Sequence, residues 1–431
     1  MPFEYPTVAP RRIAIIGGGI SGMAAAHLLA GTERVTLIEA APRLGGHART
    51  VMAGRRGDQP VDTGFIVFNR VNYPRLTQLF HELDVPVADS DMSFGASIGG
   101  GRFEYGLRNA AALFAQKRRA GDPRFWRMLR DIVHFNRNGL AAADDPDLTV
   151  GGLLRRLGTG RWFRDYYLTP ISGAIWSTPV AGMLDFPARP MLRFFANHAL
   201  MSVSGQHQWL TVKGGSREYV SRLEASLLAR GVEIRRGSPV AAVRRPDDLA
   251  GPELRMDGGA WERFDAVILA CHADQALALL ADPSEGERAG LGAVRYQPNR
   301  AVLHADASVM PRRRAAWASW VYAEPPGARS DRIQLTYWMN SLQPIPADDP
   351  LFVTLNGGAI RDELVHDETV FHHPVYDLAA LAGRERIRAL NGTRATWYCG
   401  AWMHDGFHED GFASAEDVAL AIARPKAMAA A

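Results

Sequence analysis

Three glycines mark the first place in this chain where chemistry is legible. Gly17, Gly19 and Gly22 stand as G-x-G-x-x-G directly after the apolar run Arg12-Ile13-Ala14-Ile15-Ile16. The first permits a tight turn, the second lets backbone approach a pyrophosphate, and the third lets a helix pack close to a strand. Ile20 and Ser21 then begin a run of small and apolar residues reaching Leu29. At a helix N-terminus their free N–H groups would face phosphate. Arg34-Val35-Thr36-Leu37-Ile38 reads as a second strand, closed by Glu39 and Ala40. A carboxylate at that tip accepts both ribose hydroxyls and repels a 2′-phosphate. Strand, glycines, helix, strand and acid in this order predict a dinucleotide unit that does not favour NADP.

The elements that must position such a unit need a large core. The chain has 431 residues, 47% hydrophobic and 22% charged, with a net charge of +3. That describes a globular protein of two or three domains and gives no reason to expect nucleic acid. Its two cysteines, Cys271 and Cys399, lie far apart, which points to a reducing, cytoplasmic setting rather than a disulfide framework. The histidines have no ligand-type spacing, so no metal is expected. Arg11-Arg12 followed by an apolar stretch resembles a signal anchor, but the strand–turn–helix reading accounts for its glycines and the anchor reading does not.

Further along, periodicity predicts helices through 76–200, including 125–135 and a helix capped by Thr149 and ended by Gly158. The stretch 163–200 is rich in aromatics and prolines and reads as a pocket or lid. Strands are expected at 232–235, 239–243 and 264–270. Aromatic-rich runs at 301–304, 318–322, 333–338 and 351–355 predict a second sheet. A strand near 395–401 is followed by a helix from about Ser414.

Arg43-x-Gly45-Gly46-x-x-Arg49-Thr50, followed by Asp62-Thr63-Gly64-Phe65, resembles the second FAD signature of the flavin amine oxidase, protoporphyrinogen oxidase and phytoene desaturase superfamily. The resemblance implies non-covalent FAD, with Arg43, Gly45, Gly46 and Arg49 at its phosphates and Thr63, Gly64 and Phe65 completing the signature. It also implies that the backbone of Val240 touches the adenine side. In the C-terminal motif, from Gly400 to Glu409, Asp410 and Gly411, a carboxylate would hold the ribityl chain and backbone N–H groups would face the flavin. The superfamily often has Gly where this chain has Ala415.

The implied fold class is α/β with α+β. A discontinuous Rossmann-type FAD domain would comprise 11–75, 205–275 and 393–425. A substrate domain of mixed or antiparallel sheet plus helices would comprise 76–204 and 276–392. The likeness spans about 11–423. It is strongest to a bacterial subgroup carrying Asp-Thr-Gly-Phe-Ile-Val, Ala-Ile-Trp-Ser-Thr-Pro, Ala-Cys-His-Ala-Asp and Gly-Phe-His-Glu-Asp-Gly, here beginning at Asp62, Ala174, Ala270 and Gly406. Members resemble desaturases acting on methylated fatty acyl chains of phospholipids during furan fatty acid formation.

Amine oxidases of the superfamily usually place a Lys near the flavin from the substrate sheet. Tyr296-Gln297-Pro298-Asn299-Arg300-Ala301 has none. An acyl chain instead needs an apolar tunnel, and its proton could pass to Tyr166, His198, His304 or Tyr337. The sequence does not choose among these. Two basic–aromatic patches, Lys117-Arg118-Arg119 with Trp126 and Arg312-Arg313-Arg314 with Trp317 and Trp320, suggest peripheral contact at the inner membrane face. The alternatives are a flavin enzyme acting on a small amine, or a non-catalytic FAD-binding partner of a lipid methyltransferase.

Overall fold

The computed structural model describes residues 9–176, 182–198, 200–201, 207–246, 251–327 and 332–424. The end of the predicted Trp176-Ser177-Thr178-Pro179 run lies outside them.

Five strands make one parallel sheet, in the order Glu233–Arg235, Arg34–Ile38, Arg12–Ile16, Ala266–Leu269, Thr396–Tyr398. Their side chains alternate between two cores. Ile13 and Ile15 pack with Met23, Phe412 and Val418, while Ala14 and Ile16 pack with Leu254, Phe264 and Leu291. Burial on both faces explains why the strands read as unbroken apolar runs. Val240 lies outside this sheet, in the antiparallel ribbon Val240–Arg244, Glu253–Met256, Trp261–Arg263.

A second sheet has seven strands, ordered Val365–Pro374, Tyr296–His304, Phe352–Leu355, Leu335–Trp338, Trp320–Ala323, Phe94–Ile98, Phe103–Gly106. Only the pairing of Trp320–Ala323 with Phe94–Ile98 is parallel. This corrects the expectation of a purely helical 76–200. Phe94–Ile98 and Phe103–Gly106 are joined by Gly99, Gly100 and Gly101, all at positive φ, a tight turn that helical periodicity conceals. The strand Val365–Pro374 was not anticipated either. It is an edge strand whose residues alternate between partly buried and exposed, so it carries little apolar signal.

Ala301 and Leu303 face a helical layer built from Pro123–Ala142, Val150–Leu157, Thr169–Trp176 and Ala188–Asn197. Thr149 caps the second of these by accepting from the Gly152 N–H at 3.2 Å, and Gly158 ends it at φ 65. A π-helical turn, Arg164–Leu168, leads into Thr169–Trp176.

Asp62 ties the two halves together. Its buried carboxylate accepts from Thr50 Oγ1 at 2.6 Å, Ser216 N at 2.9 Å, Ser216 Oγ at 2.7 Å and Gln343 Nε2 at 3.0 Å.

Candidate functional site

The two glycine loops lie side by side. A Cβ on Gly22 would sit 1.8 Å from Gly17 O, so the helix can follow the turn only with glycine there. In front of Gly19 the nearest atom to such a Cβ is Gly46 Cα at 4.0 Å, which leaves this backbone open to a ligand. The Gly45 N–H donates to Gly18 O at 2.8 Å and pins the second loop to the first. No side chain caps the helix Ile20–Leu29, so the first N–H groups, at Ile20 and Ser21, lack intrahelical partners. The helix His408–Ala423 brings its first turn to the same point, because a Cβ on Gly411 would meet Ser21 Oγ at 2.9 Å. The Gly400 N–H donates to Ser414 Oγ at 2.9 Å. Ala415 is fully buried there, so its methyl group is accommodated. Paired glycine loops and uncapped helix N–H groups suit a pyrophosphate, and these residues fit FAD.

The polar side chains divide by what they hold. Glu39 accepts from the Gly18 N–H at 2.6 Å and, across Ala40, from the Ala41 N–H at 2.7 Å. Its carboxylate is thus fixed beside the first loop. The Ser238 N–H donates to Glu39 O at 3.0 Å, which brings the Val240 ribbon to the same strand tip. Arg43 donates to the carbonyls of Leu44, Gly46 and Ala48 at 3.0–3.2 Å, shaping the second loop.

Three residues carried over by resemblance have other partners. Arg49 grips both oxygens of Asp367 at 2.6 and 3.0 Å, so its guanidinium latches the loop to the edge strand Val365–Pro374. Glu409 accepts from the N–H groups of Arg75 and Leu76, each at 3.0 Å, and so caps the helix Pro74–Glu82. Asp410 accepts from the Phe407 N–H at 2.8 Å and caps its own helix. Burial raises the Asp410 carboxyl to about 7. The C-terminal helix starts at His408 rather than near Ser414, which puts both carboxylates in its first turn. Thr63, Gly64 and Phe65 brace the second loop. The Thr63 N–H donates to Arg49 O and the Phe65 N–H to His47 O, both at 2.9 Å. A Cβ on Gly64 would lie 2.0 Å from His47 O.

Sequence reasoning missed a cluster of imidazoles. His47 stacks on Phe371 at 5.0 Å and lies 5.7 Å from the rings of both His272 and His373. His272 stacks on Tyr296 at 4.4 Å, and His373 Nδ1 lies 2.9 Å from Asn299 Nδ2. Nearby, His408 stacks on Phe65 at 3.9 Å and its Nε2 meets Tyr219 OH at 2.6 Å. Burial lowers His47 and His272 to about 4, and His373 and His408 to about 3. All four are therefore neutral at pH 7. The His47–His272 and His47–His373 ring pairs are tilted at 38° and 51°, and among the described residues no group of three or more His, Cys, Asp or Glu is arranged to hold a metal. The only sequence trace was residue type, in Gly-Gly-His, Cys-His and His-His.

The four proton-transfer candidates do not converge. Tyr166 and Tyr337 pack against the same apolar core between sheet and helices. Tyr166 sits in the π turn, where its carbonyl accepts from Tyr105 OH, and π turns recur at functional sites. His198 stacks on Phe194 at 3.8 Å, donates from Nδ1 to its carbonyl, and is lowered to about 4 by burial. His304 is unsuited to the role. It is fully buried on the sheet face turned away from the helices, with Nε2 2.8 Å from Thr354 Oγ1 and Nδ1 accepting from the Asp306 N–H at 3.0 Å. Both ring nitrogens are thus already engaged.

Comparison with known proteins gives the family and the fold. Residues 20–398 match the family model described as flavin containing amine oxidoreductase. A 45-residue stretch is 49% identical to an L-amino-acid oxidase of Sistrurus catenatus edwardsii, covering 10% of this chain and only 9% of that protein. Among solved structures, a protein from Exiguobacterium sp. 255-15 provisionally named a protoporphyrinogen oxidase aligns at TM-score 0.69 and 19% identity, covering 96% of this chain and 99% of that one. A fatty acid isomerase of P. acnes, named as producing CLA, aligns at 0.68 and 15% identity, covering 98% and 100%. A putrescine oxidase variant aligns at 0.67 and 16% identity, covering 96% and 99%. At these identities the structures establish the fold, and the family model establishes the chemistry: the chain belongs to the flavin-containing amine oxidoreductase family and is an FAD-dependent oxidoreductase.

Proposed function

We propose that this enzyme oxidises an unsaturated, methyl-branched acyl chain carried on phospholipid. Bound FAD supplies the two-electron acceptor. The donor loses a hydride and a proton and gains one double bond, conjugated with the first. The observation that carries this reading is the apolar character of the layer between the seven-stranded sheet and the helices. There Met183, Met191 and Phe195 pack in one buried core with Leu303, Leu335 and Val353. A substrate passage through walls of this composition would hold an acyl chain by excluding water and would offer an amine little to pair with. Tyr166 and Tyr337 border this core, and either hydroxyl would relay the proton by accepting it while releasing its own toward solvent. No lysine stands on the sheet, and the described lysines, Lys117 and Lys213, are exposed. The fatty acid isomerase with this fold is an acyl-chain enzyme on a similar frame.

The reading implies a lipid methyltransferase as supplier of the branched chain, and peripheral contact with the inner membrane face. Among the described residues no helix is long and apolar enough to cross a membrane. A second reading, oxidation of a small amine, is favoured by the family match and by the fold shared with putrescine oxidase. Anaerobic mixing of holoenzyme with candidate donors decides between them. Methylated monounsaturated phospholipid should bleach the flavin absorbance, and mass spectrometry should show product two hydrogens lighter. Bleaching by monoamines or polyamines, with none by the lipid, would install the second reading.

A further inference from the structure

On the far face of the seven-stranded sheet, turned away from the apolar core, lies an open cavity of about 270 Å³ whose lining includes Arg108, Ala112, Arg314, Trp317 and Trp338. Trp338 shares its side of the strand with Thr336, while Leu335 and Tyr337 point to the helical layer. A molecule held here is therefore separate from the reacting one.

The cavity is cationic and aromatic by construction. The Arg314 guanidinium lies 3.6 Å above Trp317 and 4.8 Å from Trp338. The two indoles meet edge to face at 5.3 Å, and Trp317 Nε1 donates to Pro311 O at 2.8 Å. Stacking fixes the guanidinium without using its hydrogen-bond donors. Arg313 is neutralised by the buried Glu104 at 2.8 Å, which also accepts from the Arg312 N–H. Arg108 has only a loose contact with Asp91, at 3.7 Å. Among the described residues no carboxylate forms an ion pair with Arg102, Lys117, Arg118, Arg312 or Arg314. Arg118 and Arg119 donate to Arg102 O at 3.0 and 2.8 Å. They thereby tie the turn that joins Phe94–Ile98 to Phe103–Gly106 to the segment bearing Trp126, which is 51% exposed.

We propose that this cavity binds the headgroup phosphate of an anionic phospholipid and seats the enzyme on a bilayer. Charge supports that occupant: cations without close carboxylate partners stand with the half-buried indoles of Trp317 and Trp338, and the exposed Trp126 lies on the segment tied to the neighbouring turn, a combination suited to the anionic, half-apolar boundary of a membrane. The inference extends the lipid reading above, and its test is separable from it.

Holoenzyme is floated with vesicles of phosphatidylcholine alone and of phosphatidylcholine with phosphatidylglycerol. Binding should require phosphatidylglycerol and fall with salt. Arg314→Gln and Arg108→Gln should each weaken it about fivefold, the effect of one cation near such a surface. Arg314→Lys should lose less, and Lys213→Gln should lose nothing. All variants should be bleached normally by detergent-dispersed lipid donor. Unchanged binding by Arg314→Gln, or equal binding to both vesicle types, overturns the proposal even if the lipid donor still bleaches the flavin. Calorimetric binding of inorganic phosphate that requires Arg314, without vesicle binding, also overturns it and reassigns the cavity to a soluble phosphate ester. Arg314-dependent vesicle binding with an amine as the only donor would uphold the cavity and reject the acyl reading.

Discussion

The parallel sheet and the seven-stranded sheet use the same two-residue alternation for opposite ends. Around Arg12–Ile16 both faces are apolar and covered, and the chemistry lies beyond the strand ends, in backbone N–H groups. Around Tyr296–His304 the faces differ: one meets the apolar core, and the other carries the hydrogen-bonded chain His304, Thr354, Thr336. The first half works through main-chain geometry that glycine spacing dictates locally. The second works through side chains that long-range pairing brings together. Flavin binding should therefore fail through single backbone positions, whereas substrate choice should be spread over many residues.

The harshest way to test that difference is Gly22→Val. Its side chain would start 1.8 Å from Gly17 O, and the protein should purify without flavin, as read by absorbance after denaturation. Gly292→Ala, with nothing nearer than Leu277 Cδ2 at 3.8 Å, should keep its flavin. Equal flavin content in the two variants would break the backbone half of the comparison.

Next in size is the acid response of the junction between the halves. The usual imidazole value is 6.5, and burial holds His47 and His272 to about 4 and His373 and His408 to about 3. The unfolded chain takes up protons near pH 6.5 while the folded chain does not. Stability contributed by neutral burial is thus complete above about pH 6.5 and is lost as pH falls toward 4. Each imidazole contributes up to about 1.4 kcal/mol per pH unit in that window. Asp410, raised to about 7, and Asp62, raised to about 6, take up protons in the folded chain and offset part of this loss, so urea unfolding at pH 7.5 and 5.5 should differ by on the order of 3 kcal/mol, and His47→Gln should reduce the difference. Stability that rises toward pH 5.5 would mean that the imidazoles are hydrated and the junction is open.

The smallest effects come from paired carboxylates. Glu409→Ala should cost about 1–3 kcal/mol of stability by uncapping the helix Pro74–Glu82, with flavin affinity at saturation unchanged. Glu39→Ala should weaken FAD by about 1–3 kcal/mol and also lower the melting temperature, because the Gly18 and Ala41 N–H groups lose their acceptor. If Glu409→Ala instead loses flavin without losing stability, the ribityl role implied by resemblance is correct and the cap is incidental.

The nucleotide unit was legible because its determinants lie within thirty residues of one another, from Arg12 to Glu39. The site's other polar partnerships were not. Arg49 and Asp367 are separated by 318 positions, and Glu409 reaches back 334 to Arg75. No local pattern says that an arginine in a phosphate-type signature will be taken by a strand edge. His304 was recognisable as a candidate base by type alone. Only the register of Tyr296–His304 shows that it faces away from the apolar core. The strand Val365–Pro374 was hidden because exposed His366, Glu368 and His372 interrupt any apolar run.

Asp62 makes flavin occupancy audible at a distance. Its one carboxylate holds the second loop through Thr50, the start of the helix Arg217–Ala229 through Ser216, and the substrate half through Gln343. None of these can swing away without leaving a buried acceptor short of donors. The loops, that helix and the turn at Gln343 should therefore open together as one cooperative unit. Amide exchange around 339–343 should slow when FAD binds, although the flavin loops belong to the other half. Asp62→Asn should uncouple the two, so that the loops close on the cofactor while the substrate half continues to breathe.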